Sequence, residues 1–300
     1  MDRRRFLVAG SAALAAAHLP LGRLLGQAPA ATVWECSRVN VDGVTALLES
    51  LGGLDALLGR EPSSATVLLK PNLCLADDPA RGTVTSPEVV EIFCQVLASR
   101  GVRRIIVADH TLRSADDFSR HPMLDLPSRC PQAKVLLANE ERMYEPVKAS
   151  GDVLEHVERM KILASADLVI NLPAAKHHSA THVSLGVKNL MGAIWNRADF
   201  HTRMDLAQAI GDLARVIRPD LTVVDATRVL LDGGPTGPGR VVRDGRLWGS
   251  TDIVAVDAVV ASRYAFGGKN LDPSDISHLR AAASRGAGEI DLSRINVRTV

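Results

Sequence analysis

The stretch that decides the fold covers residues 167–201 and reads DLVINLPAAKHHSATHVSLGVKNLMGAIWNRADFH. Residues 168–172, apolar except for Asn171, form a run of the length of a buried strand, which Pro173 ends. Basic and titratable side chains follow at once: Lys176, His177, His178, His182 and, at the end of the stretch, His201. In open α/β sheets a ligand binds in the crevice beyond the carboxyl ends of the strands. The pattern therefore predicts a ligand site directly after this strand.

Three more apolar segments, residues 65–69, 104–108 and 221–224, have the same form. Each is typical of a buried strand, and each ends on polar side chains: Lys70 and Asn72, Asp109 and His110, and Asp225. Between the first two segments, Ser86 and Pro87 open a helical pattern. Strands that alternate with helices predict an α/β fold with a mostly parallel sheet flanked by helices. The polar side chains are then expected to meet at the carboxyl ends of the strands.

The histidines of the central stretch leave three interpretations open. A helix is expected from about Thr181, and His178 and His182 then lie four residues apart on one face. Two histidines at this spacing can bind one metal ion, with Asp109 or Asp225 as a further ligand. The same histidines, with the lysines, can instead neutralise an anionic substrate, or they can be structural and bonded to the backbone.

Lys188 and Asn189 lie in a second informative segment, residues 186–195, which is otherwise small and apolar. A lysine in an apolar helix is costly to bury unless it is paired or its pKa is lowered. We therefore expect Lys188 to bind a carboxylate or phosphate group, while a role as a base and a solvent-exposed position are the alternatives.

The first residues are typical of an export signal. Residues 3–7 read RRRFL, an apolar run covers residues 8–19, and small residues lie at 28–30. This order predicts a twin-arginine signal peptide over residues 1–30, cleaved after Ala30, with an uncleaved anchor as the alternative. The expected partner is the twin-arginine export machinery, and the expected location is the periplasm. No other stretch is apolar enough to span a bilayer.

The composition limits the fold and the class of partner expected for the remaining 270 residues. The chain is 46% hydrophobic, which is enough for a large core, and we expect residues 31–300 to form a single α/β domain. Residues 1–30 hold four arginines and one aspartate, which leaves 31 basic and 33 acidic side chains in the rest. This balance argues against a nucleic-acid partner, because such proteins normally carry a basic stripe.

Sequence motifs for common cofactors are missing. The four cysteines, Cys36, Cys74, Cys94 and Cys130, form no Cys-x-x-Cys pair, so an iron–sulfur cluster is not expected. Cys74 follows a strand end and is a candidate to line the site, whereas Cys94 is expected to be a buried thiol. The glycine- and proline-rich loop 231–239 has no P-loop ending, and the chain has no Gly-x-Gly-x-x-Gly motif. This loop is expected to be a lid or a tight turn beside the site.

Several motifs, in order, resemble the domain-of-unknown-function 362 family: KPNLC, ADLVINLPAAKHH, SLGVKNLMGAIW, His201, LTVVDA, GGPTGPG and STDIVAVDAVVA. The resemblance covers roughly residues 65–298. It implies a common polar site on Lys70, Asn72, Asp109, Lys176, His178, Lys188, Asn189, His201, Asp225, Asp252 and Asp257. Many members carry an added ferredoxin-like module, which the spacing of the cysteines here does not provide.

The sequence thus predicts an exported metal-dependent or redox-linked enzyme that acts on a small anionic substrate. The expected roles are catalysis by Lys188, His201 and Asp225, substrate binding by Lys70, Asn72, Lys176, His177 and Asn189, and metal binding by His178, His182 and Asp109. The cofactor stays open beyond a divalent metal, and so does enzymatic activity itself. A periplasmic protein that binds a small anion or a metal without catalysis is the first alternative. An accessory subunit of an exported redox complex is the second.

Overall fold

The computed structural model describes residues 31–300, so the predicted signal peptide lies outside the described residues. Its strands are β1 Ala31–Cys36, β2 Thr66–Pro71, β3 Arg104–Asp109, β4 Ala133–Leu137, β5 Tyr144–Lys148, β6 His156–Met160, β7 Leu168–Leu172, β8 Ala174–His178, β9 His182–Ser184, β10 Leu221–Leu230, β11 Val241–Val242, β12 Arg246–Ser250 and β13 Ile295–Thr299.

Its helices are α1 Val41–Ser50, α2 Leu54–Leu58, α3 Pro87–Ser99, α4 Ala115–Phe118, α5 Leu126–Arg129, α6 Ile162–Ser165, α7 Gly186–Asn189, α8 Ala198–Thr202, α9 Leu206–Val216, α10 Ile253–Arg263 and α11 Ser277–Ser284. Short 3-10 helices lie at Pro62–Ser64, Pro79–Arg81, Pro122–Asp125, Glu141–Met143, Leu190–Ala193, Phe266–Gly268, Pro273–Asp275 and Leu292–Arg294.

Eleven strands form one sheet, and its central part is parallel. Strands β10, β7, β2, β3 and β4 are neighbours in this order, and each neighbouring pair is parallel. Strand β12 runs antiparallel to both β10 and β1, and β13 pairs in parallel with β1. Strands β5 and β6 form a separate hairpin. The predicted α/β fold with a mostly parallel sheet is confirmed.

The strand order changes direction at β2. From β2 the chain moves outward to β3 and β4, and it then returns to place β7 on the other side of β2. In open α/β sheets such a switch point leaves a crevice at the carboxyl ends of the two strands, where ligands bind. The carboxyl ends of β2 and β7 are therefore the part of the fold that prepares a site.

Helices cover both faces of the sheet, as the alternation of side chains along its strands requires. In β10, Val223 packs with the helices α1 and α3, whereas the next residue, Val224, packs with α9 and α10. In β12, Leu247 likewise lies in the hydrophobic core with Val223, and Trp248 lies in the core with Val224. A strand that is buried on both faces is apolar throughout, which is why these segments showed no polar alternation in the sequence.

The helix predicted from about Thr181 is wrong over its first residues. Residues 174–184 instead form an antiparallel hairpin of β8 and β9, in which His178 pairs directly with His182. The backbone of His182 has a φ of 64°, in the left-handed region that a continuous helix does not contain.

Helix α7 begins only at Gly186, and its start is fixed by a contact from a distant segment. The Asp257 carboxylate of α10 accepts hydrogen bonds from the N–H groups of Gly186 and Val187, at 2.7 and 2.8 Å. A carboxylate at this position satisfies N–H groups that have no partner within the helix. The sequence of residues 178–189 alone therefore could not predict where this helix begins.

The other helical predictions differ mainly in their ends. Residues 43–58, whose sequence is typical of one helix, form two helices, α1 and α2, because Gly52 and Gly53 adopt φ values of 127° and 82° between them. Helix α3 starts at Pro87 as predicted, but the Ser86 hydroxyl contacts Thr227 Oγ1 at 2.9 Å and does not cap the helix. Within residues 31–300 all four cysteines are free, and no helix is long and apolar enough to cross a membrane.

Candidate functional site

A cavity of about 820 Å³ lies at the carboxyl ends of β2 and β3, beside the β8–β9 hairpin and α7. Its size suits a small organic molecule. Seven of the predicted site residues line it: Asn72, Asp109, Lys176, His178, Lys188, Asn189 and His201. The four others, Lys70, His177, His182 and Asp225, do not.

A buried ion pair forms the base of the cavity. Lys70 Nζ donates to Asp109 Oδ1 at 2.8 Å, and both side chains are only 2% exposed. Asp109 Oδ2 also accepts from the N–H of Leu73 at 2.6 Å. Burial lowers the pKa of Lys70, and the Asp109 charge opposes this effect. The pair is therefore internally balanced and supplies no free charge to a ligand.

Gly192 allows this pair to form. A Cβ atom at this position would lie 2.0 Å from Asp109 Oδ1 and 2.8 Å from Lys70 Nζ. Any side chain would therefore displace one of the two charged groups. The glycine also accepts a hydrogen bond through its carbonyl from the N–H of His110, at 2.9 Å.

Lys176 is a second buried lysine, and it has no carboxylate partner in the part of the chain that the structure describes. The residue is 1% exposed. Its Nζ donates to the carbonyl of Thr83 at 2.6 Å and lies 3.4 Å from Asn72 Oδ1 and 3.7 Å from Cys74 Sγ. These contacts hold the ammonium in place but leave its charge uncompensated. Cys74 lines the cavity, as the sequence suggested.

Lys188 is the third lysine, and its amine is the least engaged. Its hydrogen-bonding partner among the described residues is Met191 Sδ at 3.1 Å, and a thioether is a weak acceptor. Burial, with the charges of Lys176 and Arg197 adding to it, lowers the pKa of Lys188 to about 8. Part of the amine is therefore neutral near physiological pH.

Asn189, the next residue of α7, anchors this helix to the sheet. Its Nδ2 donates to Asn171 Oδ1 of β7 at 2.8 Å and lies 3.3 Å from the carbonyl oxygen of Lys70. Asn171 Nδ2 in turn donates to the carbonyl of Gly186 at 3.1 Å. These two amides fix the position of the Lys188 backbone relative to β2 and β7.

Two histidines of the cavity are uncharged at neutral pH. Burial and the positive charges of Lys188 and Lys176 lower the pKa of His178 to about 3. Burial and Lys188 also lower the pKa of His201. His178 Nδ1 accepts from the N–H of Ala180 at 3.1 Å, so in the neutral ring the proton is on Nε2.

Arg197 completes the positive side of the cavity and was not predicted from the sequence. Its guanidinium donates to the backbone carbonyls of His110 and Thr111, both at 2.9 Å. The neighbouring Trp195 ring stacks on His110, with ring centroids 5.1 Å apart. In residues 31–300 no carboxylate lies within 4.0 Å of the charged nitrogens of Arg197, Lys176 or Lys188.

Comparison with known proteins shows which family the chain belongs to. Residues 67–262 match the family model described as Domain of unknown function (DUF362). The chain belongs to this family. The resemblance seen in the sequence is thereby confirmed, and the match runs from β2 into α10, so it includes every residue of the cavity named above.

Two similar proteins are informative about the extent of the match. The thylakoid-associated protein sll1697 of Synechocystis sp. is 30% identical over 255 residues, which cover 80% of this chain and 73% of that protein. The lactate racemase apoprotein of Thermoanaerobacterium thermosaccharolyticum has a TM-score of 0.45 and 14% identity. That alignment covers 74% of this chain and 54% of the racemase chain, so the chain spans about half the racemase length.

The metal site predicted from His178, His182 and Asp109 is not assembled. The carboxylate of Asp109 is bound to Lys70 and to a backbone N–H, and the exposed His182 does not line the cavity. No group of three or more histidine, cysteine, aspartate or glutamate side chains is placed to hold one metal ion in the part of the chain that the structure describes. Strand pairing sets His178 opposite His182, whereas Asp109 belongs to the buried pair with Lys70, so these three side chains do not come together in the described residues.

Asp225, predicted to be catalytic, lies in the core and supports the backbone. It accepts hydrogen bonds from the N–H groups of Ser86 and Thr227, at 2.8 and 2.9 Å, and burial raises its pKa. Asp257 and Asp252, two other residues that the resemblance implied for the site, likewise accept backbone N–H groups at the starts of α7 and α10. These three aspartates hold elements in place and do not line the cavity.

His177, predicted to bind substrate, instead holds the glycine- and proline-rich loop. Its Nδ1 accepts from the N–H of Gly234 at 3.1 Å, and its ring faces Gly267. Pro235 of this loop lines the cavity, which agrees with the predicted position of the loop beside the site.

His278 of α11 is a buried residue that the sequence did not indicate. It is 1% exposed, and neither ring nitrogen has a hydrogen-bonding partner among the described residues. Burial and the charges of Lys188 and His182 lower its pKa to about 3. A neutral, unpaired ring at this position is a destabilising element next to the Lys188 region.

Proposed function

We propose that this protein binds a small organic anion, a carboxylate or a phosphate ester, in the cavity and exchanges protons with it. The observation that carries the proposal is that Lys176 and Lys188 reach the cavity without a carboxylate partner among residues 31–300. A buried cation without an anion is energetically unfavourable, and a bound anion relieves this cost.

The distribution of carboxylates supports an anionic ligand. Asp109 is neutralised by Lys70, Glu141 is exposed to solvent, and Glu158 is half-buried. The most deeply placed charges that stay uncompensated are therefore positive. The guanidinium of Arg197 adds a third positive group to the same cavity.

Proton transfer is supported by the histidines. His178 and His201 are neutral, and the Nε2–H of His178 can donate a proton or a hydrogen bond to a bound molecule. Lys188, with a pKa of about 8, can both accept and release a proton near neutral pH. The proposal assigns these roles to the protein's own side chains and needs no metal. We further propose that the protein works in the periplasm, which rests on the sequence of residues 1–30.

Thermal unfolding with added anions tests the proposal. Malonate, pyruvate and inorganic phosphate are added separately, because an anion that binds only the folded protein raises the unfolding temperature. We expect a rise with at least one of them, and its loss in the Lys188→Met variant. The matched control is Lys148→Met, at an exposed position of β5. No shift with any of the three anions, or an equal shift in Lys188→Met and the control, contradicts the proposal. Recovery of a bound anion chemically unchanged identifies a binding protein without turnover.

A further inference from the structure

The three lysines of the site differ in what their amines can do. Lys70 is paired with a carboxylate, and Lys176 is held by the carbonyl of Thr83. The amine of Lys188 has one hydrogen-bonding partner within the described residues, the thioether of Met191. Two of the amines are thus committed to hydrogen bonds that fix them, and one is free to react.

The Lys188 amine meets the requirements of a nucleophile. An amine attacks only in its neutral form, and burial lowers the pKa of Lys188 to about 8, so about one tenth of the amine is neutral at pH 7. Its side chain lines the cavity and is therefore accessible to a bound molecule. Desolvated lysines in cavities of this kind are the ones that attack carbonyl groups.

The surroundings of Lys188 also supply the other groups that such a reaction needs. His178 and His201 line the same cavity as Lys188, and the charge of Lys188 contributes to the lowered pKa of both rings. A neutral imidazole can pass protons between the amine and a leaving oxygen. Lys176 and Arg197 line the same cavity and can bind a carboxylate of the same ligand.

We propose that Lys188 forms an imine with a small anion that carries a carbonyl group beside its carboxylate, that is, a 2-oxo acid. This inference rests on the anion site proposed above and specifies its substrate class. The lone pair of the neutral amine attacks the carbonyl carbon and forms a carbon–nitrogen bond. The nitrogen then loses its two protons, the carbonyl oxygen takes both and leaves as water, and a carbon–nitrogen double bond results. Addition of water reverses the step, and no oxidant or reductant takes part.

Reductive trapping tests this inference on the full chain. The protein is incubated with pyruvate and sodium borohydride, which reduces an imine to a stable secondary amine, and intact mass and peptide mapping locate the adduct. We expect one reduced pyruvyl group per chain, on Lys188. Lactate, which has a hydroxyl in place of the 2-oxo group, should give no adduct, and excess malonate should suppress the adduct with pyruvate.

The matched variants are Lys188→Arg, which keeps the charge but lacks a nucleophilic amine, and Lys148→Arg at the exposed control position. The adduct should be absent in the first and unchanged in the second. Because peptide mapping of the natural sequence already locates the adduct, the test does not depend on the folding of a variant.

The outcomes separate this inference from the proposed function. Pyruvate that raises the unfolding temperature but leaves no adduct on Lys188 overturns the imine and keeps the anion site. The absence of both binding and adduct overturns both. Adducts spread over exposed lysines, with equal yield in Lys188→Arg, also overturn the inference, because they arise from the surface.

Discussion

Lys70 Nζ and Asp109 Oδ1 lie 2.8 Å apart beneath the cavity, in a pair that is almost completely buried. Lys70 comes from the end of β2 and Asp109 from the end of β3, which are parallel neighbours. The pair therefore joins two strand ends and removes both charges from the cavity. This relationship distinguishes Lys70 from Lys176 and Lys188, although the three lysines look alike in the sequence.

Replacing one partner of this pair should be strongly destabilising. Lys70→Met leaves the Asp109 carboxylate buried without its counter-charge, and we expect a loss of about 3–5 kcal/mol in the free energy of unfolding. Urea unfolding measures this loss. The double variant Lys70→Met, Asp109→Leu should recover most of it, because neither charge is then buried alone. A double variant as unstable as the single one would show that the pair itself, and not the orphaned charge, stabilises the fold.

Gly192→Ala should disturb the same pair without removing either charge. The added Cβ would meet Asp109 Oδ1 at 2.0 Å, so the carboxylate or the 190–193 turn has to move. We expect a destabilisation of more than about 1 kcal/mol in urea unfolding and weaker binding of malonate. Gly245→Ala is the comparison. No atom lies within 4 Å of a Cβ added there, so its cost arises only from the φ of 71°, and malonate binding should not change.

His278→Leu should change how stability depends on pH. Since the pKa of His278 is about 3 in the folded protein and near 6.5 when unfolded, the unfolded chain takes up a proton between these values that the folded protein does not. Stability therefore falls as the pH drops from 6.5 to 3, by about 1.4 kcal/mol per pH unit for one such histidine. In His278→Leu this contribution disappears, while that of His178 remains.

Urea unfolding at a series of pH values measures the effect. At neutral pH the variant should be as stable as the natural sequence or more stable, because it no longer buries two unpaired ring nitrogens. An unchanged slope below pH 6.5 would mean that His278 is not buried in its neutral form.

Anion binding should weaken as the pH rises through about 8. At this pH Lys188 loses its proton, and the cavity loses one of its positive charges. A bound anion favours the ammonium form, so binding malonate should raise the pKa of Lys188 and take up a proton. Malonate suits the test because its own charge is constant above neutral pH. Calorimetry at pH 7 and pH 9 measures the change, and Lys188→Arg should show none.

Local sequence patterns were sufficient to predict the strand ends and much of the site. Apolar runs that end on Lys70, Asp109 and the segment after residue 172 predicted side chains that do meet at one edge of the sheet. Neighbouring parallel strands have their carboxyl ends at the same edge of the sheet, and this does not depend on the conformation of the loops. Seven predicted residues therefore line the cavity, while their chemical roles stay predictions.

The parts that failed depend on contacts between distant segments. The start of α7 is set by Asp257, about 70 residues away, so the hairpin with His178 and His182 could not be distinguished from a helix by spacing alone. The guanidinium of Arg197 is held at the site by hydrogen bonds to two backbone carbonyls, and contacts of this kind leave no pattern in the sequence. His278 comes from α11, whose packing beside α7 only the fold reveals.

Calorimetric titration with malonate at pH 7 tests the central claim most directly. Three proteins are compared: the natural sequence, the double variant that combines Lys176→Met with Lys188→Met, and the control Lys148→Met. Circular dichroism confirms that each is folded. The account predicts saturable binding to one site in the natural sequence and the control, and no measurable binding in the double variant. Equal binding in all three proteins would show that these two lysines do not form an anion site, and would contradict the account.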